Sequence, residues 1–183
     1  MSRVVAVACA RMDSKRFPGK CLAQLANKPL LQYTIDLARA ANLPLYVWTR
    51  DAAIMEYASD KCPMIYEPAR LYDTREDTTR EKMRYANDVL RAEYIVLLQP
   101  TQPVRSSTRV LTWVAMVRGE GADYAYTVNP DGRTSGTFYA YSSRYLSNDV
   151  GDIDARVLVL PDRQEFDIDM PEDLERCERW LRG

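Results

Sequence analysis

The stretch from Arg11 to Lys20 carries four cations, Arg11, Lys15, Arg16 and Lys20, interleaved with Ser14 and Gly19 and opposed only by Asp13. It follows an apolar, β-branched run from Val4, which reads as a buried strand of a parallel sheet. Cations leaving the carboxyl end of a central strand stand where open α/β sheets bind ligands, and they suit a polyphosphate. A solvated basic loop is the plainer account of the same charges. Near the other end, Asp167 and Asp169 are two apart, so on extended backbone both carboxylates point one way while Ile168 points to the core. Such a pair suits Mg²⁺, a hard cation that takes one or two carboxylates together with phosphate oxygens and water. Capping of the helix that starts at Pro171 is the alternative for these aspartates. Taken together, cations and a metal on opposite sides of a triphosphate make a site for nucleotidyl transfer.

The chain contains no histidine, which removes Ser-His-Asp and Cys-His catalysis and His-based zinc chemistry. Lys and Arg number 25 against 26 Asp and Glu, so a net charge of −1 gives no global drive toward nucleic acid or an anionic membrane. Neither a Walker pattern nor a G-x-G-x-x-G fingerprint is present. No apolar run is long enough for a membrane span, the start lacks a signal peptide's hydrophobic stretch, and a cytoplasmic location is expected. Cys9, Cys21, Cys62 and Cys177 are scattered singly, as thiols of a reducing compartment would be. The tyrosines from Tyr85 to Tyr145 lie mostly in strand-like runs and read as packing rather than a stacking surface for nucleic acid. Trp48, Trp113 and Trp180 read as core or core-rim residues.

Strands alternating with helices must position these groups. Arg3–Cys9 is expected as the first strand, followed by a helix whose Leu31, Ile35 and Ala38 share an apolar face. Leu43–Thr49 reads as the second strand, with a helix opening at Asp51, and Met64–Tyr66 as the third. A charged amphipathic helix follows EPARLYDT. Tyr94–Leu98 reads as a second core strand, after which Pro100 and Pro103 force a loop onto the sheet edge that carries the basic loop. Ser106 or Ser107 caps the next helix. Asp123–Val128 and TFYAYSS read as strands flanking the polar loop NPDGRTSG, and Arg156–Leu160 as the last strand. Leu174, Cys177 and Leu181 form the apolar face of a terminal helix. With 183 residues and no linker or repeat, the expected architecture is one α/β domain with a mostly parallel sheet and helices on both faces.

Three segments in order, ARMDSKRFPGKCLAQLANKPLLQYTIDLA, LLQPTQPVR and FDIDMPEDLE, resemble signature regions of the acylneuraminate cytidylyltransferase family, the enzymes that make CMP-activated sugar acids. The resemblance implies a three-layer α/β/α Rossmann-like domain over 1–183, with a mixed, mostly parallel sheet of the nucleotide-diphospho-sugar transferase type. It implies a Mg²⁺-dependent cytidylyltransferase that transfers CMP from CTP to the hydroxyl of a sialic-acid-like sugar acid and releases pyrophosphate. By position, Arg11, Ser14, Lys15 and Lys20 would hold the triphosphate. Lys20 would stabilise charge developing at the α-phosphate, with Arg11 and Asp169 as its catalytic companions. Gln99 would contribute to the cytidine pocket with Arg105 nearby, and Asp167 and Asp169 would bind Mg²⁺. The sugar's own anomeric hydroxyl is the family's nucleophile, so positioning and electrostatics suffice without histidine.

The chain also departs from that pattern. Glu67, in EPARL, stands where the family has Arg, with Arg70 three residues on as a candidate substitute. Thr49-Arg50 replaces Thr-Asp, with Asp51 displaced by one, and Cys21 stands where Asn is common. The family's long insertion, which swaps across a dimer, is shortened near 129–136, and Ser135-Gly136-Thr137 replaces Asn-Gly-Ala. A homodimer is one assembly the resemblance allows. The shortening points to a smaller acid, such as a phosphonate, as an alternative acceptor. A non-catalytic nucleotide-binding homologue is the alternative from outside enzymology.

Overall fold

Val5 to Ala8 are completely buried on both faces of the sheet, which is why an unbroken apolar run rather than an alternating one forms the central strand β1 (Val4–Cys9). The computed structural model describes residues 3–72, 79–147, 152–159 and 166–183. After a single 3₁₀ turn at Lys20–Leu22 come β2 (Gln24–Leu25), β3 (Lys28–Pro29), α1 (Leu30–Ala40), β4 (Leu45–Thr49), α2 (Ala52–Ala58) and β5 (Met64–Tyr66). Next are α3 (Ala69–Tyr72), α4 (Thr79–Leu90), β6 (Tyr94–Leu97), α5 (Ser107–Glu120) and β7 (Tyr124–Val128). β8 (Thr134–Ser142), α6 (Ser143–Leu146), β9 (Ala155–Val159) and α7 (Pro171–Leu181) complete the described elements.

The main sheet has the order β5-β4-β1-β6-β8-β7-β9. β1 is parallel to both β4 and β6, while β8 runs antiparallel to β6 and β7. The mostly parallel, mixed sheet expected from the sequence is therefore present. The chain winds outward from β1 through β4 to β5 and then crosses to β6 on the other side of β1. That reversal makes a crevice at the carboxyl ends of β1 and β6, the usual ligand position of such sheets.

Two apolar layers flank the sheet. One joins Ala6 and Ala8 to Leu31 and Ile35 of α1, Ile54 of α2 and Val110, Trp113 and Val117 of α5. The other joins Val5, Val7 and Trp48 to Met83 and Ala86 of α4 and Leu146 of α6. A small third cluster, Leu25, Leu30, Ile168 and Cys177, seats α7 against α1. The tyrosines of β7, β8 and α6 pack on one another, Tyr124 lying 5.2 Å from Tyr141 and 5.5 Å from Tyr145 between ring centroids. Trp48 and Trp113 are core residues, whereas Trp180 is half-exposed at the rim against Phe166. No helix among the described residues is long and apolar enough to cross a membrane.

Several boundaries differ from the sequence reading. The hairpin β2–β3 was not expected; it turns through Ala26 and Asn27, both with positive φ. The last three residues of the polar stretch NPDGRTSG belong to β8, leaving only 129–133 as the turn, because Ser135 finds a buried partner in Thr127 at 2.6 Å. Leu181 is exposed and does not join the core, since α7 buries only Cys177. Residue 160, expected to end the last strand, lies outside the described residues.

Candidate active site

A cleft of about 620 Å³ opens at the β1/β6 crevice. Its walls come from the basic loop, the loop after β6 and the Asp167/Asp169 segment, with Cys9 and Leu97 as an apolar floor. Arg11, Ser14, Lys15, Lys20, Gln99, Asp167 and Asp169, all singled out in the sequence, line this one space.

The basic loop is held as a turn rather than left as a solvated strip. Gly19, at φ +75°, donates its N–H to the Met12 carbonyl at 2.8 Å, closing the loop on itself. Asp51 accepts the Met12 N–H at 2.9 Å, tying the loop to the start of α2. The displaced aspartate of the sequence thus acts as a brace.

Asp169 is gripped by two cations of that loop, Lys20 Nζ at 2.9 Å and an Arg16 guanidinium nitrogen at 2.6 Å. Burial alone would raise its pKa, but the Lys20 hydrogen bond and the two positive charges hold it below the usual carboxylate range. Asp167 is shifted the other way. Water reaches it, yet it sits in the concave cleft among protein atoms, and this desolvation raises its pKa against a hydrogen bond from Thr101.

Helix capping does not explain these aspartates. The N–H groups of Asp169 and Met170 are both taken by the Asp173 carboxylate, at 3.1 and 2.9 Å, so α7 is capped from within its own first turn. The DID segment is instead anchored by Ile168, fully buried, whose N–H donates to the Thr101 carbonyl at 2.8 Å. The carboxylates on either side of it therefore face the cleft together.

Among the described residues no three His, Cys, Asp or Glu side chains converge as a ready-made metal cage. The donor set is two carboxylates with room for phosphate oxygens and water, which fits a hard octahedral cation better than a fully protein-ligated one. Both oxygens of Asp169 already face cations, so a metal there would share that carboxylate with Lys20 and Arg16.

Arg105 is a correction. It does not reach this cleft; its guanidinium donates to Thr34 Oγ1 at 2.8 Å and to the Thr137 carbonyl at 3.4 Å, in a separate depression beside α5. The buried Thr34 hydroxyl draws it across the sheet edge to α1, where it braces the loop after β6. Two residues that sequence reasoning passed over do line the cleft, Thr79 and Lys82 of α4. Glu67 is fully buried and accepts a hydrogen bond from Lys82 Nζ at 2.8 Å. The side chain of Arg70, the candidate substitute, lies outside the described residues. An unexplained carboxylate at position 67, where a cation was expected, was the available signal for Lys82. A second concavity of similar size, about 570 Å³, lies beside Arg84, Arg91 and Arg144 at the other end of the sheet, but neither the basic loop nor the aspartate pair reaches it.

The profile of the cytidylyltransferase family matches residues 5–157. The chain belongs to that family. It is 31% identical over 134 residues to the 3-deoxy-manno-octulosonate cytidylyltransferase of Anaeromyxobacter sp. (strain Fw109-5), covering 71% of this chain and 52% of that protein. The chain thus spans about half the length of the curated relatives it matches. Among solved structures, CMP:2-keto-3-deoxy-manno-octonic acid synthetase complexed with CTP shares the fold at a TM-score of 0.82, with 17% identity and 99% of both chains covered. A Mycobacterium tuberculosis H37Rv protein in complex with manganese superposes at a TM-score of 0.70, with 19% identity, over 98% of this chain and 99% of that one. The likenesses to solved structures establish the fold, that of nucleotidyltransferases.

Proposed function

We propose that this cytidylyltransferase-family chain joins CTP to a sugar acid, releasing pyrophosphate. The observation that carries the reading is that the basic loop and the aspartate pair, 149 residues apart in sequence, meet in one cleft through the Lys20–Asp169 contact. In this reading the triphosphate lies along the loop, with Arg11, Ser14, Lys15 and Lys20 around it. Lys20 meets the negative charge that grows as the bond from the α-phosphorus to pyrophosphate breaks. The acceptor hydroxyl attacks from the opposite side, its oxygen bonding to the α-phosphorus as the bond to pyrophosphate breaks and its proton passing to solvent water, while the cleft's fixed cations stabilise the charge that develops. Asp167 and Asp169 are the residues that would hold Mg²⁺, which when bound neutralises and polarises the phosphates.

The family relatives named for 3-deoxy-manno-octulosonate put an eight-carbon keto-sugar acid first among acceptors, beside the sialic-acid-like acids of the signature motifs. The short turn at 129–133 favours a second reading in which the acceptor is a smaller acid, such as a phosphonate. Pyrophosphate release should be measured with CTP, UTP, ATP and GTP against a panel of sugar acids and phosphonates, with Mg²⁺. The expected result is release with CTP and at least one acid, falling by about 10²-fold or more in Lys20→Ala and Asp169→Ala, the scale of losing one preorganised charge contact. Turnover surviving both substitutions overturns the residue assignment, and CTP binding without release across the panel favours a non-catalytic binder.

A further inference from the structure

The depression beside α5 that holds Arg105 shares no lining residue with the β1/β6 cleft, and its charge is of one sign. Arg105 and Arg109 line it, and among the described residues no acidic side chain does. Both arginines stand at the amino end of α5, Arg105 just before the N-cap Ser106 and Arg109 in a first turn that contains no acidic residue. That end of a helix is already the positive pole of its dipole, and its first N–H groups have no intrahelical partner. Two cations there oppose the helix they introduce, an arrangement that a bound anion relieves. A side chain from another element points the same way. Thr137 of β8 lines the depression and is only 3% exposed, yet its Oγ1 makes no hydrogen bond among the described residues. A hydroxyl closed off from water and left unpartnered is costly unless something enters to pair with it.

We infer that this depression is a second binding site, for a small organic acid whose oxyanion head meets Arg105, Arg109, the first N–H groups of α5 and the Thr137 hydroxyl. The head is fixed by charge and geometry. Guanidinium forks match a carboxylate or a phosphonate with two parallel hydrogen bonds. Arg105 is already oriented for this, since it donates to Thr34 Oγ1 at 2.8 Å and to the Thr137 carbonyl at 3.4 Å, and a preset donor loses little freedom on binding. The body is fixed by the walls. Val104, Val110 and Trp113 make one side apolar, and the space is about 260 Å³ against about 620 Å³ for the cleft. It therefore suits a short apolar group rather than a nucleotide, and inorganic phosphate would leave the apolar wall unused. Lying outside the cleft, an acid bound here is not the one that receives CMP. The site stands on its own cavity and charges, so it and the function proposed above can fail separately.

The test is an assigned ¹H–¹⁵N spectrum of the full chain, titrated with phenylphosphonate, benzoate and inorganic phosphate. At least one of the two organic acids is expected to shift the Trp113 indole and the Ser107, Thr108 and Thr137 amides together, with half-saturation below about 1 mM. The tighter of the two identifies the head, and inorganic phosphate should bind at least tenfold more weakly. Arg109→Ala takes a cation from the positive pole of α5, so without ligand it should melt at or above wild type. It should nonetheless weaken the organic acid at least tenfold, and Arg109→Lys should recover part of the loss. Filling the cleft of the wild-type protein with CTP should leave the Trp113 response in place. Signals that stay still with both acids at about ten times that concentration overturn the inference. So does a response that survives Arg109→Ala, or one that CTP abolishes by competition, which would put the binding in the cleft. Equal affinity for inorganic phosphate overturns the assignment of an organic acid.

Discussion

At neutral pH the two cleft aspartates act in opposite directions on stability. Asp169 has a lowered pKa in the folded protein, so its ionised form favours folding above the ordinary carboxylate range, and that contribution disappears as pH falls through the lowered value. Asp167 has a raised pKa, so it favours folding only while protonated, and that contribution is lost as pH rises through the raised value. Thermal melts should therefore separate the two. Asp167→Asn is expected to melt at or slightly above wild type at pH 7, and Asp169→Asn below it, with the Asp169 deficit shrinking toward pH 3. Both variants should lose binding of Mn²⁺, followed by its paramagnetic effect on water relaxation in the presence of CTP. An Asp167→Asn protein that melts well below wild type at pH 7 would show that the carboxylate is a structural prop. The thiols offer a contrast at the same scale. Burial pushes Cys9 up to about 12, so although it lies on the cleft floor it is no nucleophile.

The elements that carry the site were legible to different degrees, for identifiable reasons. β1 and β6 could be read because strands covered on both sides must be apolar throughout, and Pro100 had to eject the chain after β6. The position of the DID segment was legible from its period of two. The hairpin β2–β3 was not, because its strands are two residues long and its positive-φ turn is Ala-Asn rather than Asn-Gly. Arg105 looked like a site residue by proximity to Gln99 along the chain, but a buried hydroxyl on another element claimed it. Nor could the early start of β8 be read, since Thr134-Ser135-Gly136 has turn composition and becomes strand only through the Thr127–Ser135 contact. Within that start, Gly136 has φ +77°, and a Cβ there would stand 3.2 Å from Gln99 Oε1 and 3.4 Å from Gln102 Nε2. Gly136→Ala is therefore expected to cost about 1–2 kcal/mol through its left-handed backbone, a drop in Tm of roughly 2–8 °C for a chain of this size. It should also weaken CTP binding severalfold by displacing Gln99, as titration calorimetry would show. A drop in Tm with CTP affinity unchanged would separate Gln99 from the nucleotide.

Across the whole molecule, the candidate cleft lies at the carboxyl edge of the parallel strands, while a different charged network secures the amino edge. Asp123, which precedes β7, is 1% exposed. It accepts from Arg144 Nε at 2.7 Å, Ser142 Oγ at 3.1 Å and the Asp154 N–H at 3.1 Å, joining β7, β8, α6 and the approach to β9. Although shielded from water it lies just beneath the surface. Desolvation raises its pKa, but the Arg144 hydrogen bond, with the Asp154 and Ser142 contacts, more than offsets this and holds it below the usual range. Its folded pKa being depressed, the stabilisation is complete above about pH 5 and is lost as the pH falls below the ordinary carboxylate value near 4. Asp123→Asn keeps the shape but removes the charge, and because its partner Arg144 is largely exposed the change should destabilise the fold at pH 7 by only about 1–2 kcal/mol, the scale of weakened hydrogen bonds to a shielded charged group. The deficit should narrow below pH 4, where wild-type Asp123 takes up its proton. Because this network sits at the end of the sheet away from the crevice, the KM for CTP and the rate of pyrophosphate release should stay within twofold of wild type at temperatures where the variant is folded. Urea denaturation at pH 7 and pH 3.5, run beside the kinetic assay, distinguishes the outcomes. A variant that loses activity in proportion to stability would mean that the two edges of the sheet are coupled, and that the β8 strand between them transmits strain from Asp123 to Gln99.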